Sequence, residues 1–170
     1  APAPGQAQHC QHAQAGTEMQ RLRAIRVWAD LLAQHGQGQR AAEIGIPGLA
    51  LAQRLGAHDE QVRLAGVLVH ALCPIGRAEE AYGLMLPLRA WVDQSSDDEL
   101  RHLWYGYWAA TLGHIGRLRE AVTSYDVAIA CAERTGRRDS VGSTLLNLTV
   151  VLRTMGQFGR ALEPSRRGLS

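Results

Sequence analysis

Leu112-Gly113-His114-Ile115-Gly116-Arg117-Leu118-Arg119-Glu120-Ala121 is the stretch that decides the fold. A helical pattern stops at Gly116, another begins by Leu118, and Ala121 stays small where two helices would touch. The same punctuation stands at Leu32…Gly36…Ala41, at Leu72…Gly76…Ala81 and at Leu152…Gly156…Ala161, so the glycines fall 40 residues apart. A residue kept small at a fixed place in each second helix is what close helix packing requires. The reading is a stack of antiparallel helix pairs, each burying its apolar stripe on the next.

Outward from that turn, the helices follow from apolar spacing and breakers. Residues 1–16 are Gln, Ala, His, Pro and Gly with little to bury, which predicts a flexible linker. Thr17, with Gln20 three residues on, is expected to open the first helix, which carries Leu22, Ile25, Trp28, Leu31 and Leu32. A second follows Gly36 and Gly38 and ends at Gly56. A third is predicted over 58–72 and a fourth from Arg77 to Val92. In Ser95-Ser96-Asp97-Asp98-Glu99, Ser96 and Glu99 are expected to form a capping box, with the two aspartates at the positive end of the helix dipole. The fifth helix, Leu100 to Ile115, holds Trp104, Tyr105, Tyr107 and Trp108. The sixth runs from Leu118 to about Thr135, the seventh starts near Asp139 or Ser140, and the eighth starts at Phe158. Pro47 and Pro87 share one column inside second helices, and Pro164 lies in the last. Each should kink its helix. With Gly45 and Gly48 added, the first repeat is expected to be the least regular.

The formal charge of +2 is too small to suggest a nucleic-acid or membrane surface. Cys10, Cys73 and Cys131 are odd in number and at unrelated spacings, which argues against a disulfide framework and for a reducing, cytoplasmic setting. The start Ala1-Pro2-Ala3-Pro4-Gly5 lacks a Met and a signal core, so the chain is expected to be a piece of a longer one. His9-Cys10-x-His12 lacks the four fixed ligands of a structural zinc site. Gly36-Gln-Gly38 has no third glycine and follows a helix, so no dinucleotide site is expected. Neither a phosphate loop nor a nucleophile elbow is present. The expectation is a protein that is not an enzyme and has no metal or other cofactor. Cys73, beside Pro74, reads as a small buried residue at a helix end. Arg134, Arg137 and Arg138 with Arg166 and Arg167 form a basic edge, without the stacking aromatics of a nucleic-acid site.

Over residues 17–170 these features resemble the tetratricopeptide repeat (TPR) family. The best match is Leu145-Leu146-Asn147-Leu148…Leu152…Gly156-Gln157-Phe158-Gly159-Arg160-Ala161, and Tyr105…Trp108…Leu112…Gly116…Ala121…Tyr125…Ala128 is close to it. The 40-residue period looks like the longer-helix variety of large bacterial regulators and kinesin light chains. The resemblance implies an all-α fold, a right-handed α-α superhelix of four helix-pair repeats at about 17–56, 57–96, 97–136 and 137–170, the last one truncated. It also implies a concave groove for a protein segment or a neighbouring domain, lined by Arg23, Arg26, Asp30, Arg63, His70, Tyr107, His114, Asn147 and Arg153. The Arg forks suit carboxylates and Tyr107 offers a flat apolar contact. Arg26 and Asp30 stand where the carboxylate clamp of chaperone-binding members would begin, so an acidic C-terminal peptide is disfavoured. A binding module of a bacterial signalling or transcriptional regulator is the leading expectation. A sensor that takes a small effector and controls an output domain is the alternative. Self-association is expected at an uncapped C-terminal edge exposing Leu148, Val151, Phe158 and Leu162.

Overall fold

The computed structural model describes the backbone of residues 4–168 and the side chains of residues 16–164 and 166. Among them are nine α-helices and two short 3₁₀ turns, with no strand. The helices are α1 (Pro4–Gln34), α2 (Gly38–Arg54), α3 (His58–Leu72), α4 (Ala78–Met85), α5 (Arg89–Gln94), α6 (Asp98–His114), α7 (Leu118–Arg134), α8 (Arg138–Thr154) and α9 (Phe158–Gly168). No described helix is long and apolar enough to cross a membrane. The chain divides into two compact units, with the boundary between Ala71 and Leu72.

The repeated turn is built the same way throughout. Gly36, Gly76, Gly116 and Gly156 hold φ of 72°, 80°, 81° and 72°. That left-handed conformation costs most side chains their Cβ clearance, so glycine fills it. The residue after each glycine donates its N–H to the carbonyl of the invariant leucine: Gln37 to Leu32 at 2.8 Å, and Arg77 to Leu72, Arg117 to Leu112 and Gln157 to Leu152 at 2.9 Å. Each glycine N–H reaches the carbonyl three residues back. Together these bonds form a Schellman motif, which satisfies the last carbonyls of one helix and aims the chain into the next. The alanines that follow are sealed: Ala41 and Ala121 at 0%, Ala81 at 1% and Ala161 at 4% exposure.

In the first unit α1 and α2 are antiparallel, with Leu32 and Ala41 in one cluster and Ile25 against Gly48. α3 packs against α2 beside α1, where Leu64 and Leu68 press on Gly48 and Gly45 and Ala71 joins the Leu32 cluster. Buried Gln61 donates to the Ala52 carbonyl at 3.3 Å. In the second unit α6 packs on α4, α6 pairs with α7, α7 packs on α8, and α8 pairs with α9.

Four expectations need correction. α1 begins at Pro4, so from that residue the expected linker is helix, and Thr17 lies inside α1. Gln and Ala are good helix formers, and a helix can run where it has little to bury. Residues 1–3 lie outside the described part. The N-cap of α6 is Asp97, not Ser96. Its Oδ1 accepts from Glu99 N at 2.9 Å and Leu100 N at 3.1 Å, while Ser95 Oγ accepts the Asp97 N–H. The expected fourth helix is two, because Pro87 sits in a 3₁₀ turn, Leu86–Leu88, between α4 and α5. The expected irregular first repeat keeps α2 continuous through Pro47.

Candidate functional site

The predicted groove residues fall in both units, and each unit presents its own set. In the first, α1 carries Arg23, Arg26 and Asp30 on successive turns. Glu60 of α3 binds two of them: Arg26 Nε donates to Oε2 at 2.9 Å, and Arg23 Nε lies 3.5 Å from Oε1. Glu60 is only 13% exposed in its side chain. Its carboxylate therefore takes up cationic valence that the sequence reading assigned to a ligand. Asp30 accepts from Gln34 Nε2 at 2.8 Å, an i,i+4 bond along the helix. Arg63 is half-buried and His70 exposed, both on α3.

In the second unit Tyr107 is half-buried on α6, and its carbonyl accepts from Thr111 Oγ1 at 2.9 Å. His114 is exposed in the last turn of α6. Asn147 and Arg153 are exposed on α8. Arg153 lines a hollow of about 370 Å³ with Val150, Thr154 and Phe158. Val150 and Phe158 are 60% and 65% exposed, so this hollow joins a guanidinium fork to uncovered apolar surface. Sequence reasoning found Arg153 but missed Val150. The usable signal was a β-branched residue in the column of Asp30, His70 and Ala110, a place that is otherwise polar or small.

The aromatic cluster is a packed stack. Trp104 and Trp108 are 0% and 4% exposed with ring centroids 5.0 Å apart. Tyr82 of α4 stacks on Trp108 at 4.7 Å, and Arg117 lies over Tyr82 at 5.3 Å while donating to its hydroxyl at 2.8 Å. Glu120 holds the same guanidinium through two bonds of 2.7 and 2.6 Å, and this holds the Glu120 carboxyl below its ordinary pKa. Tyr105 donates to Asp93. Burial first, and then that bond, push its phenol up to about 12.

Two arginines of the basic edge pair with the acidic helix start. Arg134 makes two bonds to Asp98, at 2.7 and 2.6 Å, and Arg137 reaches Glu99 at 2.7 Å. The Arg134 guanidinium holds the Asp98 carboxyl below the usual aspartate value. The pairs join the N-terminus of α6 to the end of α7 and the turn after it, as an antiparallel arrangement requires. Arg134 and Arg137 are therefore paired, while Arg138 and Arg166 are exposed and the Arg167 side chain lies outside the described residues.

Cys73 is buried at the end of α3, and burial pushes its thiol up to about 11 against the opposing bond with Thr111. That is the environment of an inert thiol. No group of three or more His, Cys, Asp or Glu side chains is placed to hold a metal among the described residues. His9, Cys10 and His12 lie outside the described side chains. His102 Nδ1 lies 3.1 Å from the Ala128 carbonyl, which assigns the proton to Nδ1, since a carbonyl only accepts.

No protein-family model matches the chain, and no curated protein matches it.

Proposed function

We propose that the chain is a non-catalytic binding module, a TPR-like array whose exposed first-helix side chains recognise a protein segment. The observation that carries this reading is the hollow on α8 and α9, where Arg153 stands beside Val150 and Phe158. An uncovered apolar surface next to a guanidinium fork suits a segment that presents an apolar side chain beside a carboxylate. Asn147, on the same helix, adds an amide that can bond a peptide backbone. The four identical turns support the array, because their purpose is to stack helix pairs in one register. Membership of a larger bacterial regulator is part of the same proposal and rests on the resemblance in period and motif.

Selection of a random peptide library displayed on phage tests it. The wild type is expected to enrich peptides with an apolar residue next to Asp or Glu. Their affinity is expected to fall about tenfold or more in Arg153→Ala, equivalent to about 1.4 kcal/mol. No enrichment, or equal binding by Arg153→Ala at equal stability, would remove the reading.

A further inference from the structure

Leu148 and Val151, expected at an open edge, are buried, and of that set Phe158 and Leu162 are exposed. The charged cluster of the first unit is built more fully. Arg23 and Arg26 lie on α1 and Glu60 on α3, so their contact joins two helices of that unit. Arg26 Nε donates to Glu60 Oε2 at 2.9 Å, and Arg23 Nε lies 3.5 Å from Oε1. Each carboxylate oxygen thus faces its own guanidinium, as the oxygens of a bound ligand carboxylate would. The Arg23 side chain is 64% exposed and that of Arg26 29%, against 13% for Glu60. The acid is the inner member and the forks are the outer ones. Arg63 and Leu103, the equivalents of Arg23 in the next two repeats, are also partly exposed, so this openness belongs to the column.

A carboxylate arriving from solution meets two obstacles there. Glu60 already engages both Nε groups, and the fold keeps it in place at an effective concentration on the order of millimolar or more. Exchanging one carboxylate for another gains nothing. An acid that arrives without displacing Glu60 meets a like charge, which is how a site rejects an unwanted partner. Asp30, the next acid along α1, accepts from Gln34 and makes no ion pair with either arginine. Glu60 is therefore the one residue that closes the pair. Among the described residues no acid pairs with Arg153 of the second unit in this way.

We infer that Glu60 is a specificity-determining residue, a resident carboxylate that closes the Arg23–Arg26 site to acidic segments. The inference deepens the binding reading and rests on it in one respect: recognition of a ligand carboxylate is thereby left to Arg153. Two arginine sites of like composition then differ in what they admit, because one carries its own acid and the other does not.

Fluorescence anisotropy of a labelled hexaglutamate peptide at low ionic strength tests it on the full chain. The background is Arg153→Ala, so that the second unit does not contribute. Adding Glu60→Gln should tighten binding about tenfold or more, since a like charge leaves and both guanidiniums remain. Gln keeps the length of Glu and an oxygen for Arg26 Nε, so the arginines stay in place. Adding Arg26→Ala to that pair of substitutions should abolish the gain. Circular dichroism checks the fold, and Glu60→Ala makes the same test if Glu60→Gln does not fold. Equal affinity with and without the Glu60 carboxylate would overturn the inference. So would a gain that survives Arg26→Ala, because net charge alone would then explain it. The phage-selected peptides, measured on the wild type and on Arg153→Ala alone, report on the binding reading separately. Loss of the Arg153 effect with the Glu60 effect intact would remove that reading and leave the Arg23–Arg26 site closed by Glu60.

Discussion

α2 and the α4–α5 segment carry a proline in the same repeat column and respond to it differently. α2 runs unbroken through Pro47, while the helix bearing Pro87 divides into α4, a 3₁₀ turn and α5. Both prolines are exposed, and both face a carbonyl four residues back, of Glu43 and Gly83, on the solvent side. Water can satisfy either carbonyl, so the lost bond does not explain the difference. The surroundings do. Gly45 and Gly48 admit neighbours to the backbone of α2 from two helices, Ile25 from α1 and Leu64 and Leu68 from α3. In α4–α5 the matching positions are Met85 and Leu88, whose buried side chains keep neighbours at a distance. A helix gripped at its backbone keeps its path past a proline, and one held through long side chains relaxes into the tighter turn.

The largest effect should come from loosening that grip. A Cβ on Gly48 would lie 2.6 Å from Ile25 Cγ2 and 3.1 Å from Leu64 Cδ2. Ile25 is β-branched, and its Cγ2 cannot swing aside as a chain end could. Gly48→Ala should therefore lose about 1–3 kcal/mol despite the better helix propensity of Ala. Urea denaturation with an unchanged slope measures it. A neutral Gly48→Ala would mean that α2 is not held by close approach.

The prolines themselves come next. An interior proline costs a helix about 3 kcal/mol, and α2 carries Pro47 without changing path. Pro47→Ala should recover part of that, about 1–2 kcal/mol on the same scale. Pro87 occupies the first turn of a 3₁₀ segment, where proline is well tolerated. Pro87→Ala should therefore gain less than about 1 kcal/mol. Its clearer readout is slowed amide exchange over residues 86–89, if α4 and α5 fuse. Equal gains at the two sites would erase the distinction between them.

The same contrast explains what was legible in the sequence. The turns at Gly36, Gly76, Gly116 and Gly156 could be read because a left-handed cap admits few residues and the repeat shows it four times. Ala41, Ala81, Ala121 and Ala161 could be read because a close contact excludes larger side chains. The fate of Pro47 against Pro87 could not, since it depends on Ile25 and Leu64, which are distant in sequence. The cap was misplaced by one residue because Ser96 and Asp97 are both competent acceptors, and local geometry selected Asp97. The site was legible as positions and not as states. Arg26 and Arg153 are alike in sequence, yet Glu60 binds one and an apolar hollow borders the other. Asp98 and Arg134 looked like two charge runs because their pairing spans a whole helical hairpin.

The smallest effect is also the strictest check on the comparison, because it repeats the first substitution where the grip is absent. Gly83 lies in α4, exposed and without a positive φ, and a Cβ added there would have nothing within 4 Å. Alanine at this position meets no neighbour and restricts the unfolded chain more than the folded one. Gly83→Ala should therefore stabilise by about 0.5–1 kcal/mol, the opposite sign to Gly48→Ala. The gain should appear as a higher urea midpoint with the slope unchanged. The two glycines have the same chemistry and both lie in second helices, so propensity predicts the same sign for both. Only the distance from Ile25 and Leu64 to the backbone predicts a reversal. A loss at Gly83 as large as that at Gly48 would show that α4 is gripped as tightly as α2, and the break at Pro87 would then need another cause.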